Sequence, residues 1–215
     1  MVYPIILIEL YIVFRIISNQ YWFEIFTRLV STFNAFVCSY YAISNLGWNY
    51  LDFNYSEAGV IKGLEYLYIY LFVDGTFSLY QTIKCPNGSG ILILIHHWIG
   101  GYGIYLMTIE KKGLGLGIYF MLTELSTPLL NLSWIIYTNK IKMKGVFELF
   151  WLVFGMVRID TIPFLLFYLI YNRMEIVKLN WVHWFMTVGG SSILIGLNLI
   201  WFSMITKKIA QSDLN

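Results

Sequence analysis

His96 and His97 stand side by side in GILILIHHWIGGYGIYLM, an apolar run long enough to cross a bilayer. An imidazole near neutral pKa takes a proton from an attacking amine or hydroxyl, or itself attacks an activated acyl group to give an acyl-imidazole. Adjacent helical residues point about 100° apart, so the two rings can line one broad cavity but cannot converge on one narrow point. Either role needs an acceptor that orients the ring. Asp74 in YLFVDGTF and Glu124 in FMLTELS supply one each, as lone carboxylates in apolar runs, where such a group is paired, hydrogen-bonded or protonated. Residue types alone also fit an interhelical hydrogen-bond pair that only holds a bundle together.

Further polar groups sit at the same depth. Asn131 follows Glu124 in ELSTPLLNLSW, and Arg158 and Asp160 share FGMVRIDTIPF. Residues two apart lie on different helix faces, so Arg158 and Asp160 are expected to pair with other helices or to cross-brace them; with Asn131 they are also candidate contacts for a lipid headgroup or carboxylate. Pro128 and Pro163 each remove a backbone donor and kink their helices, leaving carbonyls for Ser126, Thr127 or Thr161. No His-x-x-x-His or Glu-x-x-His spacing joins His96, His97, His183, Asp74 and Glu124, so no metal site is expected. Gly113, Gly115 and Gly117 lack the strand and the Gly-Lys-Ser/Thr ending of a phosphate loop and are expected to ease a turn. Gly100, Gly101 and Gly103 allow close helix packing or leave room for a long thin ligand, and packing is the preferred reading.

The elements that must carry these residues are apolar helices. Of the 215 residues, 59% are hydrophobic and 12% are charged, and mean hydropathy is +0.68; soluble domains carry about 25% charge. The chain is expected to be a multi-pass integral membrane protein, all-α, with residues 1–215 forming one transmembrane domain. Seven apolar runs are candidate spans, at 2–18, 28–46, 64–83, 90–109, 114–137, 146–171 and 184–206, and the first run is short enough to lie partly at the interface. It lacks a basic leading region and a cleavage site, so it reads as a retained span. Trp22, Trp48, Tyr50, Trp181 and Trp184 fall near span ends, as interfacial anchors do.

A net charge of +2 with no basic stripe excludes nucleic-acid binding. Cys38 and Cys85 give neither metal spacing nor a disulfide framework. With seven spans, eight Lys and Arg lie on the C-terminal side and five on the other, with Arg158 internal, which favours a cytoplasmic C-terminus. The sequons at Asn54 and Asn87 then fall on opposite sides, so at most one is used.

The segments TRLVSTFNAF, the Asp74 run, HHWIGGYGIYL, ELSTPLLNLSWI, VRIDTIPF and LNLIWFSMITKK, in that order, resemble the TLC-domain family, and most closely its small members. The resemblance implies six or seven helices around a lipid-accessible cavity with the histidine pair at its heart. In ceramide synthases of this family the matching pair, His96 and His97 here, serves N-acyl transfer from acyl-CoA to a long-chain amine. Two departures stand out: Thr127 occupies the place of a second acidic residue after Glu124, and Asn34 stands where small relatives often have histidine. The expected function is lipid binding or lipid homeostasis, extending to such acyl transfer with acyl-CoA as co-substrate and no tightly bound cofactor. The alternative is a non-catalytic interaction protein, such as an accessory subunit of a larger membrane complex. The expected location is the endoplasmic reticulum or another internal membrane, with the mitochondrial inner membrane also open.

Overall fold

The structure, a computed structural model, describes residues 2–84, 88–141 and 143–212. Among them the helices fall into seven consecutive rods, and no strand is present. The first four are unbroken: α1 (Val2–Ile17), α2 (Gln20–Ser44), α3 (Ala58–Lys84) and α4 (Gly88–Glu110). The last three are each interrupted. The fifth joins α5 (Leu114–Thr123) to α6 (Thr127–Thr138) through a 3-10 turn, Glu124–Ser126. In the sixth, α7 (Lys144–Phe154) passes through a π-helical stretch, Gly155–Ile159, and a turn into α8 (Ile162–Tyr171). A short α9 (Arg173–Ile176) follows; the seventh rod starts at α10 (Trp181–Trp184), widens into a second π stretch, Phe185–Gly190, and continues as α11 (Ser191–Ser212).

Local signals set these boundaries. The Asn19 side chain accepts the Trp22 N–H at 3.1 Å and starts α2 eight residues before the apolar run at 28, because Asn is a strong N-cap. Asn180 does the same for His183 at 2.9 Å and starts the last rod. Gly113 turns the chain between α4 and α5 with φ +69°, as expected of a turn glycine. Gly115 matters for space rather than for backbone freedom. A Cβ there would run into the Tyr50 carbonyl oxygen, so its bare backbone packs α5 against the 48–51 turn.

Three rods, Gly90–Glu110, Gly145–Tyr171 and Trp181–Ala210, are long and apolar enough to cross a membrane. The outward face of α2 shows Leu29, Phe33, Phe36, Tyr40 and Ile43 exposed, an arrangement that suits lipid as solvent. The main core gathers α2, α3, α4, α5 and α8 around Leu64, Leu67, Met107, Leu116, Met121 and Tyr168. A second cluster, Leu7, Tyr11, Phe23 and Val73, seats α1 on α2 and α3. Cys85 and the sequon at Asn87 lie outside the described residues. Cys38 is buried on α2.

Candidate functional site

A cavity of about 400 Å³ lies between α2, α3, α4, the fifth rod, α7 and α11, within the ~300–1,000 Å³ that small-molecule sites occupy. Its floor is polar and carries His96, His97, Asp74, Glu124 and Arg158. Its walls are largely apolar, with Leu71, Phe77, Phe150, Phe154 and Trp201. It extends towards the bundle end where α3 and α11 finish, and there Lys208 and Gln81 also line it. Along the way Ile93, Leu130 and Met204 line the cavity while remaining exposed on the surface, so it opens between apolar side chains.

Both histidines line this space, with ring centroids 5.6 Å apart. His97 Nδ1 lies 3.3 Å from Asp74 Oδ2, close but without hydrogen-bond alignment. Asp74 is held from its other oxygen, Oδ1, which accepts the Tyr11 hydroxyl at 2.9 Å. Gly75 lets α3 and α4 meet at this level, since a Cβ there would sit 3.1 Å from His97 Cβ. His96 rests edge-on against Trp201 at 5.3 Å, and its Nδ1 is buried without a partner. Of the two carboxylates that the sequence offers as acceptors, Asp74 is the one beside a histidine.

Glu124 serves Arg158 instead. Arg158 Nη2 is 3.9 Å from Glu124 Oε1, its Nε donates to Ser126 Oγ at 2.9 Å, and its Nη1 donates to Asn198 Oδ1 at 3.3 Å. Thr127 Oγ1 donates to Glu124 Oε2 at 2.8 Å. The backbone produces this arrangement. Pro128 has no N–H for the Glu124 carbonyl four residues earlier, so that carbonyl accepts from Thr127 N–H in a 3-10 turn. Residues three apart eclipse in a 3-10 turn, which sets Thr127 over Glu124. The π stretch adds a residue to its turn, and Arg158 within it is buried; π-bulges recur at functional sites.

Asn131 is buried at the cavity and braces it. Its amide donates to the Arg28 carbonyl at 3.0 Å and to Thr32 Oγ1 at 2.9 Å, while its oxygen accepts from Arg28 Nη1 at 3.2 Å. Asp160 stands apart from the cavity. It is exposed and lines no part of the cavity, because its N–H closes a π-type bond to Gly155 O at 2.9 Å and the chain then turns into Pro163. Asn34 is also outside the cavity, buried against Cys38 at 3.8 Å. His183 pairs with Glu110 at 2.7 Å, thirteen residues or about 20 Å of helix rise beyond His97.

Sequence reasoning missed Tyr11, Arg28, Trp201 and Lys208, and offered Ser126 only as a partner for a freed carbonyl rather than for Arg158. Arg28 and Lys208 read as span-end charges and Trp201 as one more apolar residue. Tyr11 carried no signal, since a tyrosine in an apolar run is ordinary.

Apolar rods around a polar-floored cavity define a helical membrane protein with an internal site. The sequence matches the TLC domain over residues 18–207, which is most of the 215-residue chain, and the protein belongs to that family. No curated protein and no solved structure matches the chain. Among the described residues, no group of three or more His, Cys, Asp or Glu side chains is placed to hold a metal ion.

Proposed function

We propose that this protein handles lipids in an internal membrane such as the endoplasmic reticulum, that six or seven of its rods cross the bilayer, and that its cavity takes an acyl chain. The observation that carries the reading is the Asp74 carboxylate, held by the Tyr11 hydroxyl and 3.3 Å from His97 Nδ1, at the floor of an apolar-walled cavity. It supports acyl transfer from acyl-CoA to a long-chain amine. In that reaction the amine nitrogen bonds to the thioester carbonyl carbon, the carbon–sulfur bond breaks, and His97 carries the amine proton to the leaving thiolate. Asp74 orients the imidazole and stabilises its charged form, and a positioned base of this kind contributes about 10²–10⁴-fold. His96 acts beside it as a second candidate, with Glu124 and Asn131 shaping the floor. Arg158 faces the carboxylate or headgroup end of the ligand.

The test is purified protein in nanodiscs given acyl-CoA and a long-chain amine. The expected result is an amide product that His97→Ala and Asp74→Asn abolish while the thermal transition is kept. Unchanged turnover in both variants overturns the catalytic assignment. A second reading is favoured by Thr127, which donates to Glu124 where the family resemblance calls for a second acid. It is lipid binding without transfer, in a protein that partners other membrane proteins; retained lipid with no product from the unaltered chain assigns it.

A further inference from the structure

The inner face of the seventh rod bears a stripe at helical spacing: His183, Thr187, Ser191, Leu194, Asn198, Trp201, Ile205 and Lys208. Steps of three and four residues keep one face of a helix towards the bundle. Trp201, Ile205 and Lys208 line the cavity, and Asn198 holds Arg158 at the floor. Beyond Asn198 the stripe leaves the cavity, and past the buried Leu194 it is polar again at Ser191, Thr187 and His183, where an apolar core is expected. His183, Thr187 and Ser191 are each 1% exposed, and His183 Nε2, Thr187 Oγ1 and Ser191 Oγ are buried with no protein partner. A buried hydroxyl or ring nitrogen left without a hydrogen-bond partner is destabilising, and three at helical spacing on one face call for a common polar occupant.

The stripe begins at a titratable pair. His183 Nδ1 lies 2.7 Å from Glu110 Oε2, and Glu110 Oε1 accepts from Asn180 at 3.0 Å. Glu110 is 27% exposed, whereas His183 is 1% exposed by side chain, so the pair joins the surface to the start of the stripe. The widest interval, Ser191 to Asn198, is about 10 Å of helix rise. The rod packs there against α4, which carries two glycines at this level. A Cβ on Gly101 would press on Leu71 and Phe72 at 3.4 Å, but one on Gly100 would meet only Leu71 Cδ1 at 3.6 Å, and one on Gly103 only Met186 Cε at 3.7 Å. Both glycines are buried yet loosely surrounded.

We infer that this stripe is a hydrated path, entered at Glu110 and His183, that brings water and protons to the Arg158–Glu124 floor from the face opposite the cavity opening. Water in the path supplies the hydrogen bonds that the three orphan groups lack. Lipid and water therefore reach the floor from opposite ends. The inference does not rest on acyl transfer and stands or falls apart from it.

The test is thiol accessibility in sealed proteoliposomes. Thr187→Cys, Ser191→Cys and the core control Leu165→Cys are each made in a Cys38→Ala, Cys85→Ser background and exposed to a membrane-impermeant methanethiosulfonate ammonium reagent. The expected result is modification of both stripe cysteines from the Glu110 face at least about tenfold faster than the control, and loss of that difference on adding His183→Phe. Equal rates, or modification only from the cavity side, overturn the path. Hydroxyl-radical footprinting of the unaltered chain avoids any folding defect. Leu194 oxidised faster than Leu165 supports the path, and equal oxidation of these two leucines refutes it.

Discussion

Tyr11 donates its hydroxyl to Asp74 Oδ1 at 2.9 Å across 63 residues of sequence, so a helix that precedes the family-matched region, residues 18–207, completes the charged floor of the cavity. The Tyr11 ring is also packed by Phe26 and Phe77, at 5.4 and 4.5 Å. Tyr11→Phe keeps those ring contacts and removes only the donor. A hydrogen bond to a charged group is worth about 1.5–3 kcal/mol, so the variant is expected to fold, lose about that much stability in SDS-driven unfolding, and lower any His97-dependent turnover. A Tyr11→Phe protein as stable as the original shows that the carboxylate does not need this donor.

Arg158 and Glu124 form a buried charge pair that is long at 3.9 Å but anchored by Ser126 and Asn198. Removing one partner leaves the other charge uncompensated, at about 3–5 kcal/mol. Arg158→Met is expected to destabilise by that amount, and Arg158→Met with Glu124→Leu to recover most of it. The check is a double-mutant cycle in SDS-driven unfolding; additive losses contradict the pairing.

Two glycines with opposite surroundings give a paired prediction. Gly115→Ala forces a methyl onto the Tyr50 carbonyl, while nothing lies within 4 Å of a Cβ on Gly196. The first is expected to reduce the yield of folded protein or cost more than about 3 kcal/mol through backbone displacement, and the second to be neutral or to stabilise α11 by up to about 1 kcal/mol. Size-exclusion profiles and melting temperatures distinguish the outcomes. A Gly115→Ala protein that melts like the original disproves the close approach of α5 to the 48–51 turn.

The rods were legible in the sequence because their apolar runs are long and broken by Gly, Asn and charge. The runs at 90–109 and 114–137 lie within a residue or two of α4 and the fifth rod. The run at 28–46 misplaced the start of α2, since Gln20 and Glu24 hid the first turns of a helix that Asn19 caps. His96, His97, Asp74 and Glu124 were legible as a site because each is polar where polarity is costly. Which carboxylate meets which histidine was not legible, because that depends on helix rotation, and the π stretches at 155–159 and 185–190 change rotation without a motif. The direction of Asp160 was not legible for the same reason: it is exposed, turned out before Pro163. The polar stripe of His183, Thr187 and Ser191 was readable at its spacing but was obscured by the apolar residues between.

Pro128 controls the floor through a missing N–H. Without it, the Glu124 carbonyl takes the Thr127 N–H and the turn tightens to 3-10; three residues at about 120° each in place of about 100° rotate α6 by roughly 60° relative to α5. That rotation eclipses Thr127 with Glu124 and makes their 2.8 Å hydrogen bond. Pro128→Ala returns the donor and lets the turn relax to α-helix, so overall stability is expected to hold or rise while the Thr127 contact is lost and Glu124 swings from Arg158. Two measurements follow. The Glu124–Arg158 coupling from the double-mutant cycle is expected to collapse in the Pro128→Ala background, and lipid retained through purification, read by native mass spectrometry, is expected to fall. Unchanged coupling means that Glu124 is positioned by its packing alone and that the proline only bends the rod.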